Sequence, residues 1–489
     1  MKKYLLILAC ACFAFAACDE LMSGGNENGS ENTETPSLDQ LPDIGGGNKP
    51  TEELTPSQQQ AKFQSVGQEL LEEFPAEKFQ NLADIAEAFD ETYGYGDYDM
   101  SALEEWAENS ANVSYSHNHQ DRWENDGVGF CKTNTLILLS NYNGLFTFGA
   151  SKVIVSPYDG TKAVFTVNGK TYEAEITSRG KVTNAYFEYN SHYETQESYD
   201  TNNDGIINKD DWYSWTNETR VTLGVPEEIN ISFTENGTPL ATVNAKFSIN
   251  MTSDEFQFST DAFAVEYSAV INGYELKMSK TGYDASSSKA QSMITLSNGS
   301  ETLLTYIMSA DLHLKTETSS GADDQSSWTV KEVVVKKFEN FNVALDILGQ
   351  IQVKGTCKDL IKVIDEVNAI FEALSDYDWE TGDAKSVDEV AAQNHTNELN
   401  NLIDLGVYYD KGSNKQAGIE FEYYYEEIHD SDGDYDYILH SRDLYPIIVF
   451  NDGSKNRIED FFTEQAFSKL IDSVEEFAES YETVFGYFI

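Results

Sequence analysis

Hydrophobic periodicity separates a helical segment near the N-terminus from a longer strand-rich segment. Over residues 55–110, apolar residues recur every three or four positions, which is the spacing of one helix face. Thr55-Pro56-Ser57-Gln58 opens this segment with a capping-box pattern and a proline at the first helical position. The pattern predicts three helices, which begin near Pro56, after Pro75 and at Ser101.

Residues 111–355 show a strand pattern instead. Apolar and polar residues alternate most regularly from Val243 to Met251, as a strand with one buried face requires. Four Asn-Gly pairs interrupt the region: Asn168-Gly169, Asn236-Gly237, Asn272-Gly273 and Asn298-Gly299. Asn-Gly favours two-residue hairpin turns, so we expect an antiparallel meander that forms either a sandwich or a large curved sheet.

Residues 356–489 mix both patterns. An amphipathic helix is predicted over residues 360–374, a hairpin with an acidic turn over 416–439, a further strand over 445–450 and a final helix over 463–481. The whole chain therefore predicts an α+β fold: N-terminal helices, a large antiparallel β domain and a C-terminal α+β region.

The first residues predict export. Lys2-Lys3 precede the apolar run Tyr4–Phe15, and the small residues Ala16-Ala17 stand before Cys18. The run is shorter than the ~20 residues that a membrane span needs. An ordinary secretory signal cut nearby and an uncleaved anchor are the alternatives.

Ala14-Phe15-Ala16-Ala17-Cys18 resembles the lipobox of bacterial lipoproteins, although Phe15 stands where that family usually has Leu. The resemblance implies a signal peptide over residues 1–17 and acyl chains on Cys18 that anchor the mature protein in a membrane. Asp19-Glu20 resembles export signals of some Gram-negative surface lipoproteins. We therefore expect outer-membrane attachment with display at the cell surface, and a periplasm-facing position is the alternative.

Residues 18–54 are predicted to be a disordered acidic tether. The segment is rich in Gly, Asn, Ser, Glu and Pro and nearly lacks aromatic residues. Such a composition buries too little apolar surface to offset the conformational entropy lost on folding. The tether would separate the lipid anchor from the folded part of the chain.

The net charge of the chain is −52. A field of that sign repels nucleic acids and attracts cations, so we expect no nucleic-acid partner. The acidic residues are dispersed among Tyr, Phe and Val, which favours a folded body over an acidic tail. Two cysteines, Cys131 and Cys357, lie beyond the signal and the lipidated residue, and they either form a disulfide or remain two buried thiols.

Residues 200–211 match an EF-hand calcium loop position by position. Oxygen-bearing residues stand at the first, third, fifth, ninth and twelfth places, and Gly205 stands at the sixth, where the chain turns sharply. The predicted Ca²⁺ ligands are Asp200, Asn202, Asp204, the backbone carbonyl of Ile206, Asn208 and Asp211. The segment resembles dockerin-type loops, which also tend to have Asp at the twelfth place.

Two features set this loop apart from an ordinary EF-hand. Asp211 is shorter than the usual Glu, and the flanking residues favour strands over a helix pair. We expect a dissociation constant of ~10⁻⁴–10⁻³ M and a structural clip between strands. The alternative is a solvated turn that binds nothing. A second acidic cluster, Asp430–Asp436, is interpreted as a hairpin turn.

No nucleophile, zinc-protease or phosphate-loop pattern is present in the sequence, so we expect a non-enzymatic binding or structural protein. The length and layout resemble those of uncharacterised Gram-negative surface lipoproteins, which implies no activity. One alternative is a glycan-binding surface protein in which Tyr423-Tyr424-Tyr425 stacks on sugars. Another is a periplasmic carrier whose curved sheet holds an apolar ligand.

Overall fold

The computed structural model describes residues 41–42, 49–94, 98–115, 120–123, 128–196, 212–253, 256–322, 326–375, 386–432 and 435–485. Within them, eighteen strands form one hydrogen-bonded sheet, and the helices lie towards the two ends of the chain. This confirms the α+β class. None of the described helices is long and apolar enough to cross a membrane.

The helices are α1 (Pro56–Glu72), α2 (Gln80–Phe89), α3 (Ser101–Tyr115), α4 (Leu360–Ala373), α5 (Glu389–Leu402), α6 (Ile458–Phe461) and α7 (Ser468–Phe485). The strands are β1 (Gln120–Trp123), β2 (Val128–Leu138), β3 (Gly144–Phe148), β4 (Val153–Ser156), β5 (Thr161–Val167), β6 (Lys170–Gln196), β7 (Trp212–Glu235), β8 (Thr238–Asn250), β9 (Ala262–Ile271), β10 (Tyr274–Asp284), β11 (Lys289–Asn298), β12 (Glu301–Ala322), β13 (Ser326–Ile347), β14 (Ile351–Asp359), β15 (Ile403–Tyr409), β16 (Ala417–Asp432), β17 (Tyr435–Phe450) and β18 (Lys455–Arg457). All three predicted N-terminal helices are present, and α3 continues to Tyr115, beyond the predicted end at residue 110.

The capping box at Thr55 is confirmed. The Thr55 hydroxyl accepts a hydrogen bond from the Gln58 backbone N–H at 3.4 Å, and the Gln58 side chain accepts one from the Thr55 backbone N–H at 2.8 Å. Two N–H groups that the first turn would leave unpaired are thereby satisfied, and α1 begins at Pro56 as predicted.

Three of the four Asn-Gly pairs form the predicted two-residue turns. Asn168, Asn236 and Asn272 have φ angles of 50°, 47° and 50°, and the glycine after each also has a positive φ. These turns connect β5 to β6, β7 to β8 and β9 to β10. The fourth pair differs, because Asn298 remains the last residue of β11 and only Gly299 enters the turn with a positive φ.

One face of the sheet is apolar across ten neighbouring strands, β6 to β15. Residues directly opposite one another on paired strands share a face, so a row of such pairs crosses the sheet. The row consists of Ile176, Ile231, Val243, Ala269, Leu276, Leu296, Leu304, Ile347, Ile351 and Tyr409. We call this side the apolar face and the opposite side the polar face.

Helices cover parts of the apolar face and create separate cores. Val66 of α1 and Phe461 of α6 pack against Ile351 and Tyr409 in the largest cluster. A second core lies further along β16 and β17, where α4 and α5 pack against the inner residues of these strands. The alternation of apolar residues therefore determines on which side of the sheet the helices lie.

Eight of the strands, β6 to β13, form a series in which the last strand pairs with the first, and four of them are unusually long. β6 and β7 contain 27 and 24 residues, and β12 and β13 contain 22 each. Pairings run in sequence from β6 to β13, and β13 then pairs back onto β6, with Val330 opposite Ser191. β14 to β18 extend the same sheet beyond β13. The boundary predicted at residue 355 falls inside β14, so the C-terminal region continues the same sheet.

β17 is longer than the sequence predicts, because the segment over residues 445–450 continues the hairpin strand and does not form a separate one. Phe421 of β16 lies opposite Pro446. The Asn400 side chain accepts from the Phe421 backbone N–H at 2.7 Å and donates to its carbonyl oxygen at 2.9 Å. Both backbone groups of Phe421 thus point away from β17, so Pro446 is not required to donate a ladder hydrogen bond at this pair.

Candidate ligand-binding surface and calcium loop

The predicted calcium loop lies outside the described residues. It belongs to the connection between β6 and β7, whose last described pair is Gln196 opposite Trp212. The segments before and after the loop are strands, as the sequence suggested, and not the helix pair of an EF-hand. Ca²⁺ binding by Asp200, Asn202, Asp204, Ile206, Asn208 and Asp211 stays a prediction.

Within the described residues, no three His, Cys, Asp or Glu side chains are grouped so that they could hold a metal ion. Cys18 also lies outside the described residues. A shallow hollow of about 160 Å³ lies between β8 and β9, lined in part by Leu240, Thr242 and Val270. It is smaller than the ~300–1,000 Å³ of typical small-molecule sites.

Cys357 is buried on β14 and forms no disulfide with any described side chain. Burial raises the pKa of this thiol, which makes it a poor nucleophile at neutral pH. Cys131 lies on β2, opposite Asp121 of β1 and Asn217 of β7, and its side chain is not among those described. A disulfide between Cys131 and Cys357 therefore stays a prediction.

The last residues of the predicted tether contact the folded body. The Ser413 backbone N–H donates to the Lys49 carbonyl oxygen at 3.1 Å, and the Thr51 N–H donates to the Asn414 side chain at 2.8 Å. The Leu54 N–H donates to the side chain of the fully buried Gln416 at 2.9 Å. Side-chain amides far along the sequence thus hold residues 49–54, which the composition of the segment does not reveal.

A group of exposed and half-buried side chains lies on the polar face of β16, β17 and β18. Tyr424 alternates with Glu422 on β16, and Tyr445 lies opposite Glu422 on β17. We call this group the tyrosine surface. Its members are Glu420, Glu422, Tyr424, Glu426, Tyr445, Lys455 and Arg457.

The predicted stacking run Tyr423-Tyr424-Tyr425 is divided between the two faces of the sheet. Tyr423 and Tyr425 pack against the core beneath α4 and α5. Only Tyr424 lies on the polar face, because side chains on a strand alternate in direction. Its aromatic partner, Tyr445, comes from the neighbouring strand and was not identified from the sequence.

The two rings of the tyrosine surface lie close to each other and to a cation. The Tyr424 and Tyr445 ring centroids are 6.0 Å apart, with 60° between the ring planes. The Arg457 guanidinium carbon lies 4.1 Å from the Tyr445 centroid and 5.9 Å from that of Tyr424. Both distances are within the range of a cation–π contact, so side chains from β16, β17 and β18 form one connected group.

Charged groups border the rings. The Lys455 ammonium lies 2.9 Å from a Glu422 carboxylate oxygen and 3.4 Å from one of Glu420. The hydrogen bond to Glu422 raises the pKa of Lys455. The Tyr424 hydroxyl donates to Glu426, and this hydrogen bond raises the pKa of Tyr424. The single O–H of Tyr424 is thus used by Glu426, whereas the three N–H groups of Lys455 include a donor beyond those directed at Glu420 and Glu422.

The tyrosine surface is accessible to a ligand. About half of each side chain of Glu420, Glu422 and Lys455 is exposed, at 48%, 55% and 47%, and both tyrosines are half-buried. Each carboxylate has lone pairs beyond those used by Lys455, and Arg457 has several N–H donors. The group can therefore offer aromatic faces, acceptors and donors to one bound molecule.

No protein-family model matches this sequence, and neither a curated protein nor a solved structure matches it.

Proposed function

We propose that this chain is a lipid-anchored, non-enzymatic protein of the outer membrane surface, in which a calcium ion clips the end of the β6–β7 hairpin. Cys18 carries the anchor, and residues up to Lys49 form the tether. A flexible chain of roughly thirty residues has a root-mean-square reach of about 30 Å. That reach holds the folded body close to the membrane while it remains free to reorient.

The position of the loop at the end of two paired strands supports the calcium clip. Strand pairing reaches Gln196 and Trp212, so all six predicted ligands fall within a single connection. Four aspartates within residues 200–211 repel one another when no cation is present. A Ca²⁺ ion would neutralise part of this charge and stabilise the hairpin end.

Thermal unfolding of the mature protein, with calcium and then with a chelator, tests the clip. At about 100-fold excess over the dissociation constant, one site adds about 2.7 kcal/mol to the free energy of unfolding. We expect a higher Tm with calcium and no such rise with magnesium. Asp200→Ala combined with Asp204→Ala should abolish the rise, whereas Asp430→Ala combined with Asp432→Ala, at the acidic end of β16, should retain it. An unchanged rise in the first variant would place the metal elsewhere.

The lipid anchor has a separate test. Cys18→Ala removes the acylated side chain, so the protein should move from the membrane fraction to the soluble fraction of the cell. Protease added to intact cells should degrade the unmodified protein if the body is displayed outside. A Cys18→Ala protein that stays in the membrane fraction would contradict the anchor.

The tyrosine surface favours a binding role in addition to the structural one. Two half-buried, paired rings beside donors and acceptors form a better recognition surface than the hollow between β8 and β9. Of the two binding alternatives suggested by the sequence, this observation favours the glycan-binding protein over the carrier of an apolar ligand.

A further inference from the structure

We propose that the tyrosine surface binds a neutral carbohydrate chain; this names the ligand class for the binding role proposed above. The first argument is the position of the aromatic rings. Tyr424 and Tyr445 lie on the polar face of the sheet, away from the cores that hold Tyr423 and Tyr425. Amphipathic aromatic rings that remain partly accessible are suited to contacts with the C–H faces of a ligand.

The second argument is the weak contribution of these contacts to stability. Ion pairs between exposed side chains, such as Lys455 with Glu422, add ~0–1 kcal/mol. An exposed cation–π contact, such as Arg457 with Tyr445, adds about 0.5–1 kcal/mol. Folding therefore gains little from gathering these side chains on an exposed face, whereas a ligand would gain several preformed contacts at once.

The third argument is the chemistry of the polar groups around the rings. A sugar presents an apolar C–H face and a rim of hydroxyls that both donate and accept hydrogen bonds. Glu420 and Glu422 can accept from such hydroxyls, and Arg457 can donate to a neighbouring pair. Carbohydrate thus complements the rings and the charged groups together.

The charge of the protein favours a neutral carbohydrate over an anionic or a cationic ligand. The net charge of −52 disfavours nucleic acids and acidic glycans. A basic peptide would compete with Lys455, which already contacts Glu420 and Glu422, and with Arg457, which already lies over Tyr445. A neutral, hydroxyl-rich ligand can add its contacts without displacing either cation.

Affinity electrophoresis of the mature protein tests the inference, in a non-ionic detergent that contains no sugar. The probes are five neutral polysaccharides: a β-glucan, a starch-type α-glucan, a xylan, a galactomannan and a mannan. We expect at least one of them to retard the protein. The retardation should persist from about 50 to about 500 mM salt, because screening does not weaken contacts to an uncharged ligand.

Two variants link the binding to the surface. Tyr424→Ala combined with Tyr445→Ala should weaken binding about tenfold or more, the ratio that corresponds to 1.4 kcal/mol. Arg457→Ala changes an exposed position, leaves both rings in place and should also weaken binding. The control is Tyr158→Ala, which removes a half-buried tyrosine whose hydroxyl also contacts a carboxylate, that of Glu175, on the N-terminal strands. It should bind as the unmodified protein does.

Three results would overturn the inference. One is that none of the five polysaccharides retards the protein. Another is that neither the double variant nor Arg457→Ala alters the retardation. The third is salt-sensitive binding of polylysine that the double variant abolishes, which would identify a basic peptide site. These variants leave Cys18 and residues 200–211 unchanged, so their outcome is independent of the anchor and calcium tests.

Discussion

Phe421 and Tyr423 lie on one side of the β16–β17 hairpin, beneath α4 and α5, and Tyr424 and Tyr445 lie on the other, with Arg457 above them. Tyr423 and Tyr424 are adjacent in the sequence and chemically identical. Both are half-buried, and strand alternation alone turns one towards the core beneath α4 and α5 and the other towards the polar face. The contrast shows that residue type does not decide between packing and recognition on this hairpin.

The same contrast recurs on β15. Tyr409 is 1% exposed, lies in the largest core and donates from its hydroxyl to the Gln59 side chain at 3.0 Å. Tyr408 is half-buried on the polar face, where the Lys354 ammonium lies 5.0 Å from its ring centroid. Unlike Tyr424, Tyr408 contacts no second aromatic ring within the described residues. The pair of neighbouring rings therefore distinguishes the tyrosine surface from the surroundings of Tyr408.

The largest expected effect concerns the core between helices α4 and α5 and the apolar face of β16 and β17. Ile370 of α4 is fully buried there, so Ile370→Ala should lower the free energy of unfolding by about 2–5 kcal/mol through lost burial and a residual cavity. Urea unfolding measures the change. Ile364→Ala is the matched control on the same helix, because Ile364 is 55% exposed, and it should cost less than about 1 kcal/mol. Equal losses in the free energy of unfolding would contradict the orientation of α4, in which Ile370 is buried and Ile364 is exposed.

The adjacent tyrosines test the comparison directly. Tyr423→Ala should lower the free energy of unfolding by about 2–4 kcal/mol, because the ring packs against the buried residues of α4 and α5. Tyr424→Ala should lower it by less than about 1 kcal/mol, since its half-buried ring lies on the polar face, outside that core. Urea unfolding of both variants measures the two losses. A larger loss for Tyr424→Ala would mean that Tyr424, and not Tyr423, packs against α4 and α5.

A smaller effect is expected at the edge of β16. Asn400→Ala removes the amide that pairs with the backbone N–H and carbonyl of Phe421, which costs about 1–3 kcal/mol when such groups are left unpaired. Asn397→Ala, at an exposed position of the same helix, should change stability by less than about 0.5 kcal/mol. If both variants were equally stable, the Asn400 contact would contribute nothing to the hairpin.

The smallest expected effect appears only at alkaline pH. Burial raises the pKa of Tyr409 above its usual value of about 10, so the unfolded chain loses this proton first and stability falls as pH rises beyond that value. Tyr409→Phe should flatten this decline by up to about 1.4 kcal/mol per pH unit. Val407→Ala, in the same core, is the control and should lower stability without changing the slope. If the decline of stability with pH were equally steep in Tyr409→Phe, a raised pKa of Tyr409 would be contradicted.

Local features were predictable because a few adjacent residues decide them. The capping box at Thr55 and the turns at Asn168-Gly169, Asn236-Gly237 and Asn272-Gly273 depend on backbone preferences and short-range hydrogen bonds. The α+β class followed from the change of hydrophobic period along the chain. The strands on both sides of residues 200–211 were suggested by their aromatic and β-branched residues.

What the sequence determined by itself is therefore three of the four Asn-Gly turns, the starts of α1, α3 and α4, and the alternation that gives each strand an apolar side. Only the tertiary structure decided that β14 to β18 join the same sheet and that Asn400 permits Pro446 within β17. It also brought Tyr445 and Arg457 to Tyr424 from separate strands. The register between strands is set by contacts distant in sequence, so no local pattern could reveal which side chains would meet.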